Sequence, residues 1–194
     1  MSAEPGPDGR LRCPWALQPA EYLAYHDGEW GRPIRDDVGL YERLMLEAFQ
    51  SGLSWLTILR KRPGFRRAFA GFDPDVVARF SDVDVNRLLG DPGIVRNQAK
   101  IAAAVTNAQA VLSLRQQDGN GAFSRLVWSH QPVPRPAPTS LADVPAATPE
   151  SIALAKDLKR HGFVFVGPTT VYATMQAAGL VNDHLADCFA RRRR

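Results

Sequence analysis

The chain has 194 residues, enough for one domain or two small lobes sharing a core. Hydrophobic residues make up 45% and charged residues 23%, an ordinary balance for a soluble globular protein, and no apolar run is long enough to span a membrane. The net charge of +4 permits a polyanionic partner without requiring one, because runs such as Arg60-Lys61-Arg62 and Arg191 to Arg194 also suit solvated helix ends.

Residues Met1 to Arg10 are polar, with two prolines and two glycines, and read as a disordered tail rather than a secretory signal. With two cysteines and no signal, a reducing compartment, the cytoplasm, is expected, and a disulfide is not. Cys13 comes next, with His26 thirteen positions on. Around His26 lies an aromatic-rich stretch, Trp15, Tyr22, Tyr25 and Trp30, with Trp55 further along. Rings among polar residues can be core, or they can wall a flat ligand such as a nucleobase.

A helix is expected over Val38–Ser51, where Tyr41, Leu44, Met45, Ala48 and Phe49 share one face. Glu47 sits at the rim of that face. It could pair with Arg43 one turn earlier, or it could accept hydrogen bonds from a base and oppose positive charge. Helices are then expected over Ser54–Arg62, Phe65–Phe72, Pro74–Phe80, Val83–Gly90 and Arg96–Leu114. From His130 to Pro149 six prolines exclude a long helix, so a connecting loop is expected. Thr148-Pro149-Glu150 starts another helix. Gly162-Phe-Val-Phe-Val-Gly167 then makes a glycine-bounded turn into an apolar helix ending near Gly179. Such a turn is an ordinary helical hairpin, or one whose exposed N–H groups receive a phosphate. Strand-like alternation is rare, and the fold class is all-α.

The chain ends on His184-Leu-Ala-Asp-Cys188, a His and a Cys on one helical face. With Cys13 and His26 they could form a four-ligand zinc site tying the termini together. Such a site would be structural, since no position is left open for water. The two cysteines could equally be small buried apolar side chains.

Four segments together resemble DNA-3-methyladenine glycosylase I: Tyr25-His-Asp-Gly-Glu-Trp-Gly31, Leu46-Glu-Ala-Phe-Gln-Ser-Gly-Leu-Ser-Trp55, Arg160-His-Gly-Phe-Val-Phe-Val-Gly167 and Gly179-Leu-Val-Asn-Asp-His-Leu-Ala-Asp-Cys188. The likeness runs from about Cys13 to Cys188. It implies an all-α fold of the helix-hairpin-helix DNA glycosylase superfamily and a structural zinc on Cys13, His26, His184 and Cys188. It also implies a base pocket on Trp15, Tyr22, Tyr25, Trp30, Glu47 and Trp55, with Glu47 as the catalytic group, and duplex-probing residues at Gln50 and Leu53. DNA backbone would be held at the hairpin, at Gly162, Gly167 and Thr169. Residues 11–190 would form one glycosylase domain of two helical lobes with the hairpin at 151–179, flanked by the tail 1–10 and a basic tail at 191–194.

The implied activity is hydrolysis of the N-glycosidic bond of 3-methyladenine in double-stranded alkylated DNA by a monomer, releasing the free base and leaving an abasic site. Asp183 is the rival to Glu47, since related glycosylases place an aspartate after the hairpin. No lysine lies in the hairpin, Lys156 and Lys159 preceding it, so a lyase step is not expected. The competing readings are a non-catalytic binder of alkylated DNA with the same fold and a helical zinc protein for a small aromatic ligand. The Pro-rich loop near Ser129-His130-Gln131-Pro132, the N-terminal extension and the arginine-rich end depart from the family pattern.

Overall fold

The computed structural model describes residues 2–193; Met1 and Arg194, the outermost residues of the two expected tails, lie outside the described residues. Among those residues the architecture is helical, and no helix is long and apolar enough to cross a membrane.

The first departure from expectation is at the N-terminus. Glu4–Pro5 (β1) pairs antiparallel with Leu11–Arg12 (β2), Glu4 opposite Arg12. The Pro- and Gly-rich stretch between them, read as disorder, is a turn: Gly9 takes φ +76°, and the N–H of Gly6 bonds to the carbonyl of Arg10 at 2.9 Å. Arg12 then buries its guanidinium between Asp8 and Asp27. At the other end, Phe189–Arg193 winds into a short 3-10 helix instead of a free tail. Arg191 donates to the carbonyls of Asn182 and His184 at 2.8 and 2.7 Å.

Helix α1, Ala20–Gly28, is absent from the sequence expectations because its apolar residues form no stripe. Helix α2, Asp37–Gln50, begins where Asp36 accepts a hydrogen bond from the Gly39 N–H at 2.7 Å. Its expected face is buried: Tyr41, Leu44, Met45, Ala48 and Phe49 are each under 5% exposed.

Helix α3, Trp55–Ala68, runs straight through Pro63, where two helices were expected. Neighbouring contacts outweigh the missing proline N–H. Phe65 and Phe69 pack on Phe49, with centroids 4.7 and 5.7 Å away, and each such fully buried ring is worth about 2–3 kcal/mol. Gly64 faces the Gly93 carbonyl so closely that a Cβ would lie 2.4 Å from its oxygen.

Helices α4 (Pro74–Val77), α5 (Asp82–Gly90) and α6 (Gln98–Asp118) follow. Helix α7, Ala122–Ser129, was not expected, and covers the start of α2: Asp37 accepts from the Ser124 N–H at 2.8 Å. Residues 130–148 are a loop apart from one 3-10 turn at Leu141–Asp143, as the prolines required.

Helices α8 (Pro149–Arg160) and α9 (Pro168–Ala177) form the expected hairpin pair. Together α2, α3, α6, α8 and α9 enclose one hydrophobic core. A smaller cluster of Cys13, Leu185, Cys188 and Ala190 joins the chain ends. At Gly179, φ is +76° and a Cβ would lie 2.7 Å from the Gly31 carbonyl oxygen. Only glycine lets the C-terminal segment approach residues 31–33 this closely, and that approach places His184 beside Trp30.

Candidate base pocket and metal centre

A cavity of about 350 Å³ opens between α1, α2, the start of α3 and α9. Trp15, Tyr25, Trp30, Glu47, Gln50 and Trp55 line it, joined by Gln176 and Asp183 from the far side. A volume in this range suits a small organic ligand, with apolar walls and a few aimed polar groups.

Each ring has a local reason for its place. Tyr25 and Trp30 lie on and just after α1. Trp55 opens α3, whose start is capped by Ser54 accepting from the Thr57 N–H at 3.2 Å. Tyr25 and Trp55 meet at 5.4 Å with planes tilted by 52°, so they form adjoining walls rather than a parallel sandwich. Trp15 meets Trp30 edge-on at 5.0 Å. The indole N–H of Trp55 is buried and has no partner among the described residues. Tyr22 does not line the cavity; it stands behind Trp15, centroids 6.0 Å apart, and its hydroxyl accepts from the Leu56 N–H at 3.0 Å.

Glu47 is buried at the pocket wall, 7% exposed. Burial pushes its carboxyl up to about 8, the charge of Arg43 pulling weakly the other way. Among the described residues its side chain makes no hydrogen bond or ion pair. The pairing with Arg43 allowed by their spacing is not formed, because Arg43 bonds to Glu29 at 2.7 Å.

Asp183 also faces the cavity, but its Oδ2 is engaged: it accepts from the Tyr172 hydroxyl at 2.5 Å and from the Gln176 amide at 2.9 Å, while Oδ1 lies 3.9 Å from the Arg135 guanidinium. Arg135 in turn donates to the Tyr172 oxygen at 2.9 Å. The two carboxylates weighed from the sequence therefore share one pocket in opposite conditions, Glu47 unpartnered and Asp183 held by two donors. Sequence reasoning missed Gln176, Tyr172, Arg135, Leu141 and Val144. Gln176, a long polar side chain in a largely apolar helix, carried a signal; Leu141 and Val144, inside the Pro-rich loop, carried none.

Around the pocket, Gln50 lines the wall, while Leu53 projects from the turn between α2 and α3, 42% exposed. The hairpin from Gly162 to Gly167 turns at Gly162, φ +86°, and exposes Val164 and Phe165 at its tip. Thr169 lies in the first turn of α9. The tip is clamped by a residue the sequence analysis passed over. Asn107 of α6, wholly buried, accepts from the Val164 N–H at 2.8 Å and donates to its carbonyl at 3.0 Å.

Next to the pocket, Cys13, His26, His184 and Cys188 converge, all buried, with their donor atoms within 4.8 Å of one another. Zinc–ligand bonds of about 2.0–2.3 Å place the ligand atoms of a tetrahedral site about 3.3–3.8 Å apart. Here His184 Nδ1 lies 3.1 Å from His26 Nε2, and Cys188 Sγ lies 3.4 Å from His26 Nε2 and 3.7 Å from His184 Nδ1. Cys13 Sγ lies 3.9 Å from His184 Nδ1. The donors fit a zinc ion.

The shell outside them fits as well. His26 Nδ1 lies 2.8 Å from Asp27 Oδ1, leaving Nε2 to face the cluster. His184 Nε2 faces the Trp30 carbonyl at 3.3 Å, leaving Nδ1 inward. The nearness of the two sulfurs, together with burial, pushes the Cys13 thiol up, while Cys13 and the two histidines pull Cys188 down.

The family model described as methyladenine glycosylase matches residues 15–191. DNA-3-methyladenine glycosylase 1 of Escherichia coli is 48% identical over 181 residues, covering 91% of this chain and 95% of that protein. DNA-3-methyladenine glycosylase of Haemophilus influenzae is 45% identical over 180 residues, covering 91% and 96%. A solved structure of a 3-methyladenine DNA glycosylase I variant in complex with 3-methyladenine is similar with a TM-score of 0.87 at 37% identity, covering 93% of this chain and 97% of that one. With its fold, its ring-walled pocket and its matched length all agreeing, the chain belongs to the methyladenine glycosylase family.

Proposed function

We propose that this chain hydrolyses the N-glycosidic bond of 3-methyladenine in alkylated double-stranded DNA, releasing the free base and leaving an abasic site. The observation that carries this reading is a buried carboxyl without a counter-ion, Glu47, on the wall of an aromatic cavity. A neutral base gains little from such a group. A base made cationic by methylation supplies the missing charge, and ring faces attract it further.

The base must leave the duplex to reach the cavity, at a cost of a few kcal/mol, lower for a damaged base. Leu53 and Gln50, beside the cavity mouth, fill the gap. The hairpin holds the backbone through N–H groups around Gly162, Gly167 and Thr169. Tyr25 and Trp55 wall the flipped base on two sides, with Trp15 and Trp30 closing the pocket. Glu47 accepts hydrogen bonds from the base edge and opposes its charge.

Water then bonds to C1′ of the sugar as the C1′–N9 bond breaks. Its electron pair neutralises the leaving base, and the water's proton departs to solvent or to a carboxylate. Because the leaving group is already cationic, selection rather than bond-breaking is the main task. In this reading Glu47 meets the base, and Asp183, which Tyr172 and Gln176 hold across the cavity, is its rival for the role of orienting the water.

Zinc held by Cys13, His26, His184 and Cys188 would crosslink the chain ends and so fix Trp15, Tyr25 and Trp30. All four positions are protein ligands, which makes it a structural ion. No lysine lies in the hairpin, so the product remains an abasic site.

The test is incubation with methylated duplex DNA and chromatography of the released bases. Release of 3-methyladenine by the wild-type protein and its loss in Glu47→Gln support the reading. Tight binding of methylated duplex without release would make the protein a non-catalytic binder.

A further inference from the structure

Arg43 and Glu47 are one turn apart on α2, a spacing at which opposite charges ordinarily meet. Here they do not. Arg43 donates through Nη2 to Glu29 Oε2 at 2.7 Å, and its guanidinium lies 5.5 Å from the centre of the Tyr25 ring. Glu29 is fixed in turn by Arg62 of α3, at 2.6 and 2.7 Å to its two oxygens. Arg43 Nη1 is buried and has no hydrogen-bond partner among the described residues, although a carboxyl lies one turn away. The protein leaves an unused donor and an unpaired carboxyl side by side.

We propose that Glu29 is a specificity-determining positioning residue: it withholds Arg43 from Glu47, so that the pocket has no internal cation and a cationic base becomes the counter-ion. This inference rests on the proposed function. Without Glu29, Arg43 would turn to Glu47, and the pocket would lose its preference for charge.

The groups facing Glu47 are few. Arg43 lies on its own helix, Tyr25 on α1 and Asp183 across the cavity, while Glu29, just after α1, and Arg62 of α3 pair with each other beside Arg43. Lys100 of α6 is committed elsewhere, to the carbonyls of Phe49 and Ser51. Arg43 is thus the cation best placed to reach Glu47, and the raised carboxyl pKa agrees with its diversion.

The experiment measures single-turnover release of 3-methyladenine from methylated duplex between about pH 6 and pH 9.5. Wild type rises with pH as Glu47 loses its proton. Glu29→Gln is expected to move that rise to lower pH and to lower its plateau roughly tenfold, the worth of one pKa unit of lost differential attraction. Glu29→Gln combined with Arg43→Gln returns both the rise and the plateau toward wild type. Glu29→Asp, which keeps the charge, stays close to wild type.

A Glu29→Gln profile identical to wild type overturns the proposal. So does a lowered plateau whose pH rise is unmoved or that Arg43→Gln does not recover, because that is damage to structure alone. If Glu47→Gln excises at the wild-type rate, the proposed function of the pocket fails; if Glu47→Gln is inactive and the Glu29 variants fail as stated, only this inference does.

Discussion

Arg43 stands one helical turn before Glu47 and bonds instead to Glu29, 2.7 Å away, leaving Glu47 buried and unpaired. That arrangement is costly, and the cost depends on pH. The carboxyl of Glu47 titrates near 8 in the folded protein against 4.5 for an unperturbed Glu. Between those values the folded state holds the proton more tightly, so Glu47's contribution to stability is greatest at low pH and is lost as pH rises toward 8. Glu47→Gln should remove this slope. Urea unfolding at pH 8 is expected to show the variant more stable than wild type by on the order of 3 kcal/mol, with little difference at pH 4. Equal slopes for the two proteins would mean that Glu47 is not strained by burial. Excision by the variant should fall by roughly 10²-fold, the usual loss of one electrostatic group at a reacting centre.

The metal cluster makes a second prediction. Cys13 and His26 come from one end of the chain, His184 and Cys188 from the other, so one ion held by all four would close nearly the whole polypeptide. Cys188→Ser should bind less zinc and unfold more easily by about 3 kcal/mol, in line with closing a long loop. Metal content by atomic absorption and melting temperature should fall together, and a chelator should lower the wild-type melting temperature in the same way. A variant that melts like wild type while lacking zinc would remove the structural role.

Much of this was readable from residue types alone, for definite reasons. The core face of α2 repeats at helical spacing, and prolines from Pro132 to Pro149 block a helix whatever surrounds them. The Cys and His that converge and the tryptophans of the cavity stood out because Cys, His and Trp are scarce. What could not be read depended on tertiary partners. Helix α3 continues through Pro63, and Phe65 and Phe69 beyond it pack on Phe49. Helix α1 has no apolar stripe because Tyr25 faces a cavity instead of the core. Arg43 bonds to Glu29 and not to Glu47, and Glu29 is also held by Arg62, thirty-three residues away, a link that no local pattern reveals.

The N-terminal ribbon supplies a third prediction, since the family match begins at residue 15, just beyond it. Arg12 links Asp8 of the ribbon turn to Asp27, and Asp27 orients His26. Arg12→Ala should free Asp27 and loosen His26, weakening zinc affinity about 10–100-fold, as loss of an outer partner does at other metal sites. Competition with a coloured chelator measures this directly. Because Arg12 does not line the pocket, the zinc-loaded variant should excise 3-methyladenine near the wild-type rate.

The last prediction concerns the hairpin. Asn107 holds both backbone groups of Val164, and its own side chain is buried. Asn107→Ala leaves a backbone N–H and a C=O without protein partners at the base of the exposed tip. Each such group costs about 1–3 kcal/mol when it is shut from water, so the hairpin should respond by opening to solvent rather than by staying in place. Hydrogen exchange at Val164 should rise well above that of α8 and α9. Binding of free 3-methyladenine, assigned here to the rings and Glu47, should hold. Binding of duplex DNA should weaken, because the N–H groups around Gly162 and Gly167 no longer share one fixed geometry. If duplex affinity is unchanged while exchange at Val164 rises, the hairpin does not hold the backbone, and the DNA contact lies elsewhere.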